Sequence, residues 1–344
     1  MKIASVAVSY PERVVTNEEI LTQVEAHNAP RVEAASLRRI VRSLDRFFRL
    51  CGSVERRWRS PGERAFDHAI KAAHKALKDA DLRPEDVDLL IYVGVGRGWL
   101  EPGMSHLFLD ALGMVNATCF DVLDACLSWM RAVQLAHRLI DAGVHKRVLI
   151  LSAEFNIHEL EDWTFNDVSE VAWKFPRLTI GEAASATVLT EGADDVEPCF
   201  VYRTVPSLHT LCKIPLKNIE QFSTGERCPD LTPLSFFSYG SELFSAAAEI
   251  IPETYFASEE LKRRPIDVGF SHQASATLIE KIEAAMGQQG KTVIVYPELG
   301  NTVSSSVPCT MPQALEDGRL TRGMQMMIVV GSAGFSAGLA HLRF

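Results

Sequence analysis

Short apolar runs rich in Val and Ile alternate along the chain with longer amphipathic stretches, and this alternation restricts the fold more than any other feature. The runs are Ile3 to Val8, Val87 to Val95, Val148 to Ser152, Ala186 to Leu189, Val268 to Phe270, Val293 to Tyr296 and Met327 to Val330. Runs of this kind predict buried strands. Between them the spacing turns helical: in Leu127 to Ala142, Trp129, Val133, Ala136 and Ile140 recur at i, i+4, i+7 and i+11, and Ala65 to Ala80 is a second such stretch. Strands alternating with helices predict an α/β protein. A helix, a buried strand and a Gly-rich turn occur together twice, at DLLIYVGVGRG near residue 90 and at MIVVGSAGFSAG near residue 330, without a sequence repeat. Two similar halves, 1–190 and 191–344, are therefore expected. The charged EGADDVEP and several prolines mark Glu191 to about Pro233 as their connection, with room for a substrate-facing excursion.

Composition removes several classes of function. With 344 residues, 47% hydrophobic and 23% charged, the chain can bury a large core and is not a disordered protein. Thirty-five Lys plus Arg against 44 Asp plus Glu give a net charge of -9, which argues against general attraction to nucleic acid or to an anionic membrane. No stretch supplies the ~20 apolar residues of a membrane span, and the N-terminus has no secretory pattern, so a soluble cytoplasmic protein is expected. Seven cysteines (Cys51, Cys119, Cys126, Cys199, Cys212, Cys228 and Cys309) show no CxxC or CxxH pairing, which predicts reduced thiols and no metal site. One region departs from the acidic average: residues 24 to 60 include RVEAASLRRIVRSLDRFFRLCGSVERRWR, one or two helices with a basic face. It is either a solvated surface or a dock for phosphopantetheine, coenzyme A or an acidic carrier protein.

Three residues carry nucleophilic chemistry in their local setting. Cys126 in FDVLDACLSWMRAVQLAHRLIDAG follows a short apolar strand and opens a helix. The positive end of a helix dipole favours thiolate, the form that attacks thioesters. A buried cysteine acting as a small hydrophobe is the ordinary alternative. His272 in IDVGFSHQASATLIEKI sits between a strand and an amphipathic helix, so its imidazole can project from a strand end into a central site. Asn301 in VIVYPELGNTVSSSVP lies in a Gly-Asn turn after a strand, where an ordinary turn asparagine is the plainer interpretation.

FDVLDACLSW, GFSHQAS, LGNTVSSSVP and GSAGFSAGLAHLRF stand in the order and spacing of the ketoacyl-ACP synthase III group of the thiolase-like superfamily, which the chain resembles over nearly its whole length. The resemblance implies two similar halves packed as a five-layered α/β/α/β/α sandwich, in a homodimer or a heterodimer. It implies that Cys126 takes an acyl group from a thioester, while His272 and Asn301 donate hydrogen bonds to the carbonyl of a second thioester as it becomes an enolate. The oxyanion on the first acyl group would be held by the backbone amides of Cys126 and Ala333. Substrates would be thioesters of coenzyme A or of a phosphopantetheinyl carrier protein, with no tightly bound cofactor and no metal.

Departures from the fatty-acid initiation enzymes redirect the expected substrate. Leu127 follows the nucleophile where those enzymes carry a small residue, and Ile180 replaces an aromatic in the turn Ile180-Gly181-Glu182-Ala183-Ala184, so both are expected to shape the acyl pocket. Thr277 stands where a basic carrier-docking residue is usual. Lys174 and Arg177 in VAWKFPRLTI are candidates for a coenzyme A phosphate contact at the tunnel mouth. Glu101, in GRGWLEPGMSHLFLDALGM, resembles the loop glutamate that serves as base across the dimer interface in head-to-head condensing thiolases of long-chain olefin synthesis. A base is needed when neither acyl group decarboxylates, and a glutamate desolvated in an acyl pocket is a stronger base than one in water.

The expected activity is Claisen condensation of a Cys126-bound acyl group with a second acyl or β-ketoacyl thioester, in secondary metabolism. An acyltransferase with an alcohol or amine acceptor and His272 as general base is a second enzymatic possibility. A non-catalytic partner subunit is a third, opposed by the intact Cys126, His272 and Asn301.

Overall fold

The computed structural model describes residues 1–155, 163–192, 196–222, 227, 229–230 and 232–344. Five strands build a first sheet: β1 (Lys2–Ser9), β2 (Leu89–Val93), β3 (Thr118–Val122), β4 (Arg147–Glu154) and β5 (Ala183–Thr190). Five more build a second: β6 (Cys199–Thr204), β7 (Val268–Ser271), β8 (Thr292–Val293), β9 (Gln325–Ser332) and β10 (Ser336–Arg343). Their spatial orders are β1-β5-β4-β2-β3 and β6-β10-β9-β7-β8, so each sheet places its own first, fifth, fourth, second and third strands in that sequence. Pairing directions repeat as well: two antiparallel ladders, then two parallel ones. The loose recurrence in the sequence is thus a repeated topology.

Helices fill three layers around the sheets. α1 (Asn17–Asn28) and α2 (Ala34–Cys51) pack against each other, and α2 buries Ile40, Leu44, Phe48 and Cys51 along one face. Its arginines at 38, 39, 42, 46 and 49 are exposed, so the basic segment is a surface helix face. α3 (Ala65–Asp79) and α4 (Met104–Ala111) cover the outer face of the first sheet, where an alanine stripe on α3 (Ala69, Ala72, Ala73 and Ala76) meets Leu90 and Tyr92 of β2. α5 (Ser128–Asp141) lies between the sheets. α6 (Gly240–Ala257) and α7 (Ala276–Ala285) cover the outer face of the second sheet through Ala247, Ile251 and Ile282 against Met327, Val329 and Leu339. α8 (Ser306–Glu316) joins α5 in the middle layer. One core there combines Trp129, Met130 and Val133 of α5 and Val307 and Met311 of α8 with Ile91 and Ile150 from one sheet and Phe270 and Ile328 from the other. The five layers of the thiolase-like fold result, with strand residues alternating between inner and outer faces as the pleat requires.

Two expected elements differ. Of the run Val293 to Tyr296, only Val293 pairs in the sheet, as the end of the strand Thr292–Val293, and Tyr296–Leu299 is a helical turn. Pro297 explains this, because proline has no N–H for a ladder and suits the first turn of a helix. The stretch from Glu191 to Pro233 is more than a connection. β6 belongs to the second sheet, and Cys212–Lys213 pairs with Phe237–Ser238 at the wall of a cavity. Cys228, expected as a reduced thiol, lies outside the described residues, as do Ala193 to Asp195 of the charged EGADDVEP. Among the described residues, the other six cysteines are free and no helix is long and apolar enough to cross a membrane.

The middle layer reaches the nucleophile at Gly338 of β10. A Cβ there would lie 2.5 Å from Leu127 Cδ1 and 3.0 Å from Met130 Sδ. Gly338→Ala is expected to cost about 1–3 kcal/mol by overpacking, measured by urea unfolding. An unchanged midpoint would show that the start of α5 yields freely.

Candidate active site

The nucleophile sits on a constrained turn. After β3, the Leu127 amide donates to the Asp124 carbonyl at 2.9 Å, the Asp124 amide donates to Ser128 Oγ at 2.7 Å, and that hydroxyl donates to the Ala125 carbonyl at 2.7 Å. Ala125 is left-handed, with φ 45°. Such a residue costs roughly 1–2 kcal/mol outside glycine, and the surrounding bonds hold it there. Arg131 Nε bonds Asp124 at 2.9 Å, and Ser332 Oγ donates to the Asp124 carbonyl at 3.1 Å. Through Ser332, the turn that carries Ala333 is tied to the turn that carries Cys126.

His272 and Asn301 come from the second half. His272 follows β7 and its amide donates to the Val329 carbonyl of β9 at 2.9 Å, which holds the residue at the strand end. Its Nδ1 is 3.1 Å from Ser306 Oγ, and it also bonds the backbone of Val303. Asn301 lies where two loops cross: its amide donates to the Thr179 carbonyl at 2.8 Å, and its carbonyl accepts from the Gly181 amide at 3.0 Å. A Cβ on Gly181 would stand 1.9 Å from the Leu299 carbonyl oxygen, and one on Gly300 (φ 65°) 2.4 Å from that of Thr179. Only glycine permits the crossing. Asn301 Oδ1 accepts from the Val303 amide at 2.9 Å, which leaves the NH2 end to face a ligand.

Cys126, His272, Asn301, Ala333 and Ile180 line one cavity of about 340 Å³, whose remaining wall is mostly apolar. Four other expected site residues lie elsewhere. Leu127 is fully buried in the core between the sheets, because a helix residue next to the nucleophile points about 100° away from it. Lys174 and Arg177 are buried rather than at a tunnel mouth. Lys174 Nζ bonds the Thr164 carbonyl at 2.7 Å and pairs with Glu170 at 3.0 Å, while Arg177 pairs with Asp230 at 3.6 Å. Engaged in the interior, neither cation faces solvent to meet a phosphate. Glu101 lies in the exposed run Gly98 to Pro102, outside the cavity of its own chain, so its own chain does not supply the expected desolvation.

Residues 120–201 match the family model 3-oxoacyl-[acyl-carrier-protein (ACP)] synthase III, and residues 256–344 match that of the synthase III C terminal. The first match spans Cys126 and the second spans His272 and Asn301. In both matched regions the chain is similar to the synthase III condensing enzymes. It is 26% identical to β-ketoacyl-[acyl-carrier-protein] synthase III of Campylobacter jejuni strain RM1221 over 99% of this chain and 97% of the relative. Against the enzyme of that name from Methylococcus capsulatus it is 28% identical, over 100% of this chain and 98% of the relative. Among solved structures, OleA of Xanthomonas campestris with bound lauric acid and lauroyl-CoA superposes with a TM-score of 0.83 at 23% identity, covering 99% of this chain and 98% of that one. The synthase III of Aquifex aeolicus superposes at 0.79 and 23% identity, covering 100% of this chain and 99% of that one.

Electrostatics set the resting state of this synthase III-like site. Burial pushes the Cys126 thiol well above the ordinary range, with Cys212 and Glu154 adding in the same direction. Burial also lowers His272 to about 4, partly opposed by its bond to the Val303 backbone. Burial thus opposes the expected helix-favoured thiolate, and thiol and imidazole are both neutral near pH 7. A neutral imidazole carries one ring N–H donor and one acceptor nitrogen.

Sequence reasoning missed Cys212, which lines the cavity, and the buried pair Glu154 and Ser304. An acid at the end of the apolar run VLILSAE was a signal available for Glu154. A second cavity of about 300 Å³ shares Thr179, Phe244 and Leu278 with the first and reaches Phe47 and Leu50 of α2 and Lys281 of α7. At its rim Thr277, in place of a basic residue, donates to the Leu50 carbonyl at 2.7 Å and joins α7 to the end of α2.

Because burial holds the thiol well above the ordinary cysteine range, its thiolate fraction rises about tenfold per pH unit across neutral and mildly alkaline pH. Alkylation of Cys126 by iodoacetamide, followed by peptide mass, is expected to accelerate accordingly from pH 6 to pH 9. A plateau near pH 7 would contradict the neutral resting site.

Proposed function

We propose that the chain condenses an acyl group held on Cys126 with a second acyl or β-ketoacyl thioester, outside fatty-acid initiation. The convergence of Cys126, His272 and Asn301 on one apolar cavity carries this reading. Cys126 attacks the first thioester, its sulfur bonds the acyl carbon, and the carrier thiol leaves with the proton. The amides of Cys126 and Ala333 hold the oxyanion during this exchange. The second thioester then loses carbon dioxide or an α proton, and its α carbon attacks the acyl carbon as the Cys126 sulfur leaves. His272 and Asn301 stabilise the enolate oxygen by hydrogen bonds.

Glu101 is proposed as the base where no decarboxylation occurs. Trp99, 42% exposed, and Leu100, 63% exposed, flank it. A second copy covering these apolar side chains would supply the desolvation a base needs, which supports assembly as a homodimer, with a heterodimer as the alternative. The second cavity beneath the basic face of α2 supports entry of a coenzyme A or carrier-bound thioester from that side.

Product mass after mixing two thioesters tests the proposal. Asn301→Ala is expected to lower carbon–carbon bond formation roughly 10²–10³-fold while acylation of Cys126 persists. Glu101→Ala is expected to impair condensation of non-malonyl acceptors and spare the acyl-enzyme. Transfer of the acyl group to an alcohol or amine, with no condensed product, would replace this reading with acyl transfer.

A further inference from the structure

Glu154, at the end of β4, is 2% exposed and surrounded by donors from both halves of the molecule. Its carboxylate accepts from the amides of Gly96 at 2.7 Å and Val95 at 3.3 Å, on the loop after β2. It also accepts from the Ser304 amide at 3.3 Å and from the Ser304 hydroxyl, on the turn that precedes α8. The loop wraps it closely. A Cβ on Gly94 (φ 102°) would stand 2.0 Å from Glu154 Oε1, and one on Gly96 would stand 2.0 Å from the Ala153 carbonyl oxygen.

Ser304 adjoins the residue that positions the other two side chains. The Val303 amide donates to Asn301 Oδ1, and its backbone also bonds His272. Val303 is left-handed, with φ 51°, a conformation a β-branched residue keeps only where its surroundings impose it. The bonds from Glu154 to Ser304, together with the buried hydroxyl cluster of Ser152, Ser185 and Ser305, supply that imposition from the first-half sheet.

We infer that Glu154 is a positioning residue that clamps the Val303–Ser305 turn to the first half and thereby sets His272 and Asn301 against Cys126. The inference rests on the condensation reading above. All four groups bonded to Glu154 are donors, so the clamp requires an acceptor-only carboxylate. A glutamine would turn its NH2 end either toward the Gly96 amide or toward the Val95 and Ser304 donors, leaving a donor–donor contact in either orientation. The same carboxylate holds the loop that continues to Glu101, so one residue sets both the His272/Asn301 turn and the base of the Glu101 loop.

Three arms test the clamp with the full-length protein and an acyl-CoA pair. Glu154→Gln is expected to lower the condensation kcat about 50-fold or more with KM within about 3-fold, since it misplaces enolate-stabilising donors. Ser304→Ala, a milder change that keeps the backbone bond, is expected to lower kcat about 5-fold, and the double variant should be no worse than Glu154→Gln alone, because both act through one contact. Alkylation of Cys126 at pH 8 should quicken about 3-fold in Glu154→Gln, since a negative charge that opposes thiolate is gone. Additive losses in the double variant, or an unchanged kcat in Ser304→Ala, would overturn the clamp even where Glu154→Gln folds poorly. If wild-type protein forms no condensed product, the condensation reading fails. The alkylation arm, which needs no substrate, then still decides whether Glu154 acts at Cys126: an unchanged rate overturns it.

Discussion

Burial of two helices between two sheets is the constraint from which the site follows. α5 and α8 are covered on both sides, and residues such as Trp129, Met130, Val307 and Met311 each stabilise the fold by about 1.5–3 kcal/mol through lost contact with water. Both helices begin at the cavity: Ser128 opens α5 two residues after Cys126, and Ser306 opens α8 five residues after Asn301. Packing the middle layer therefore brings chemistry from both halves to one place. The repeated strand order makes this a consequence of topology rather than of any single contact.

What the core brings near, polar contacts align. Gly181 and Gly300 let two backbones cross so that Asn301 is held by Thr179 and Gly181, and Ser332 reaches from the Ala333 turn to Asp124 beside the nucleophile. The reacting thiol and imidazole are uncharged at rest. A thiol and an imidazole both kept uncharged by apolar walls suit a cavity that admits an acyl chain, and charge then develops only as bonds form, where the aligned donors act on it.

The legible part of the structure was the part written in hydrophobic period and in strand-end position. Buried runs give away most strands of both sheets, and Cys126 and His272 stand out because each follows a strand and precedes a helix, whereas Asn301 follows the helical turn Tyr296–Leu299 and is singled out only by the resemblance of LGNTVSSSVP to the synthase III group. Facing and burial were not legible. Leu127 neighbours the nucleophile in sequence but turns into the core, and Lys174 and Arg177 look like surface charge until Glu170 and Asp230 are seen to pair with them inside. The direction of the Cys126 shift depended on the walls around the sulfur, which no local motif contains. Glu154 shows in sequence only as an acid ending a buried run, while the donors that hold it come from residues 58 and 150 positions away.

Formation of an acyl thioester on Cys126 is the event on which the chemistry turns. Intact-protein mass after incubation with acyl-CoAs of several chain lengths, with peptide mapping, measures it directly. A mass increase of one acyl group on the peptide containing Cys126, absent in Cys126→Ala, is the predicted result. No adduct at any chain length, or an adduct on Cys212 instead, would contradict it.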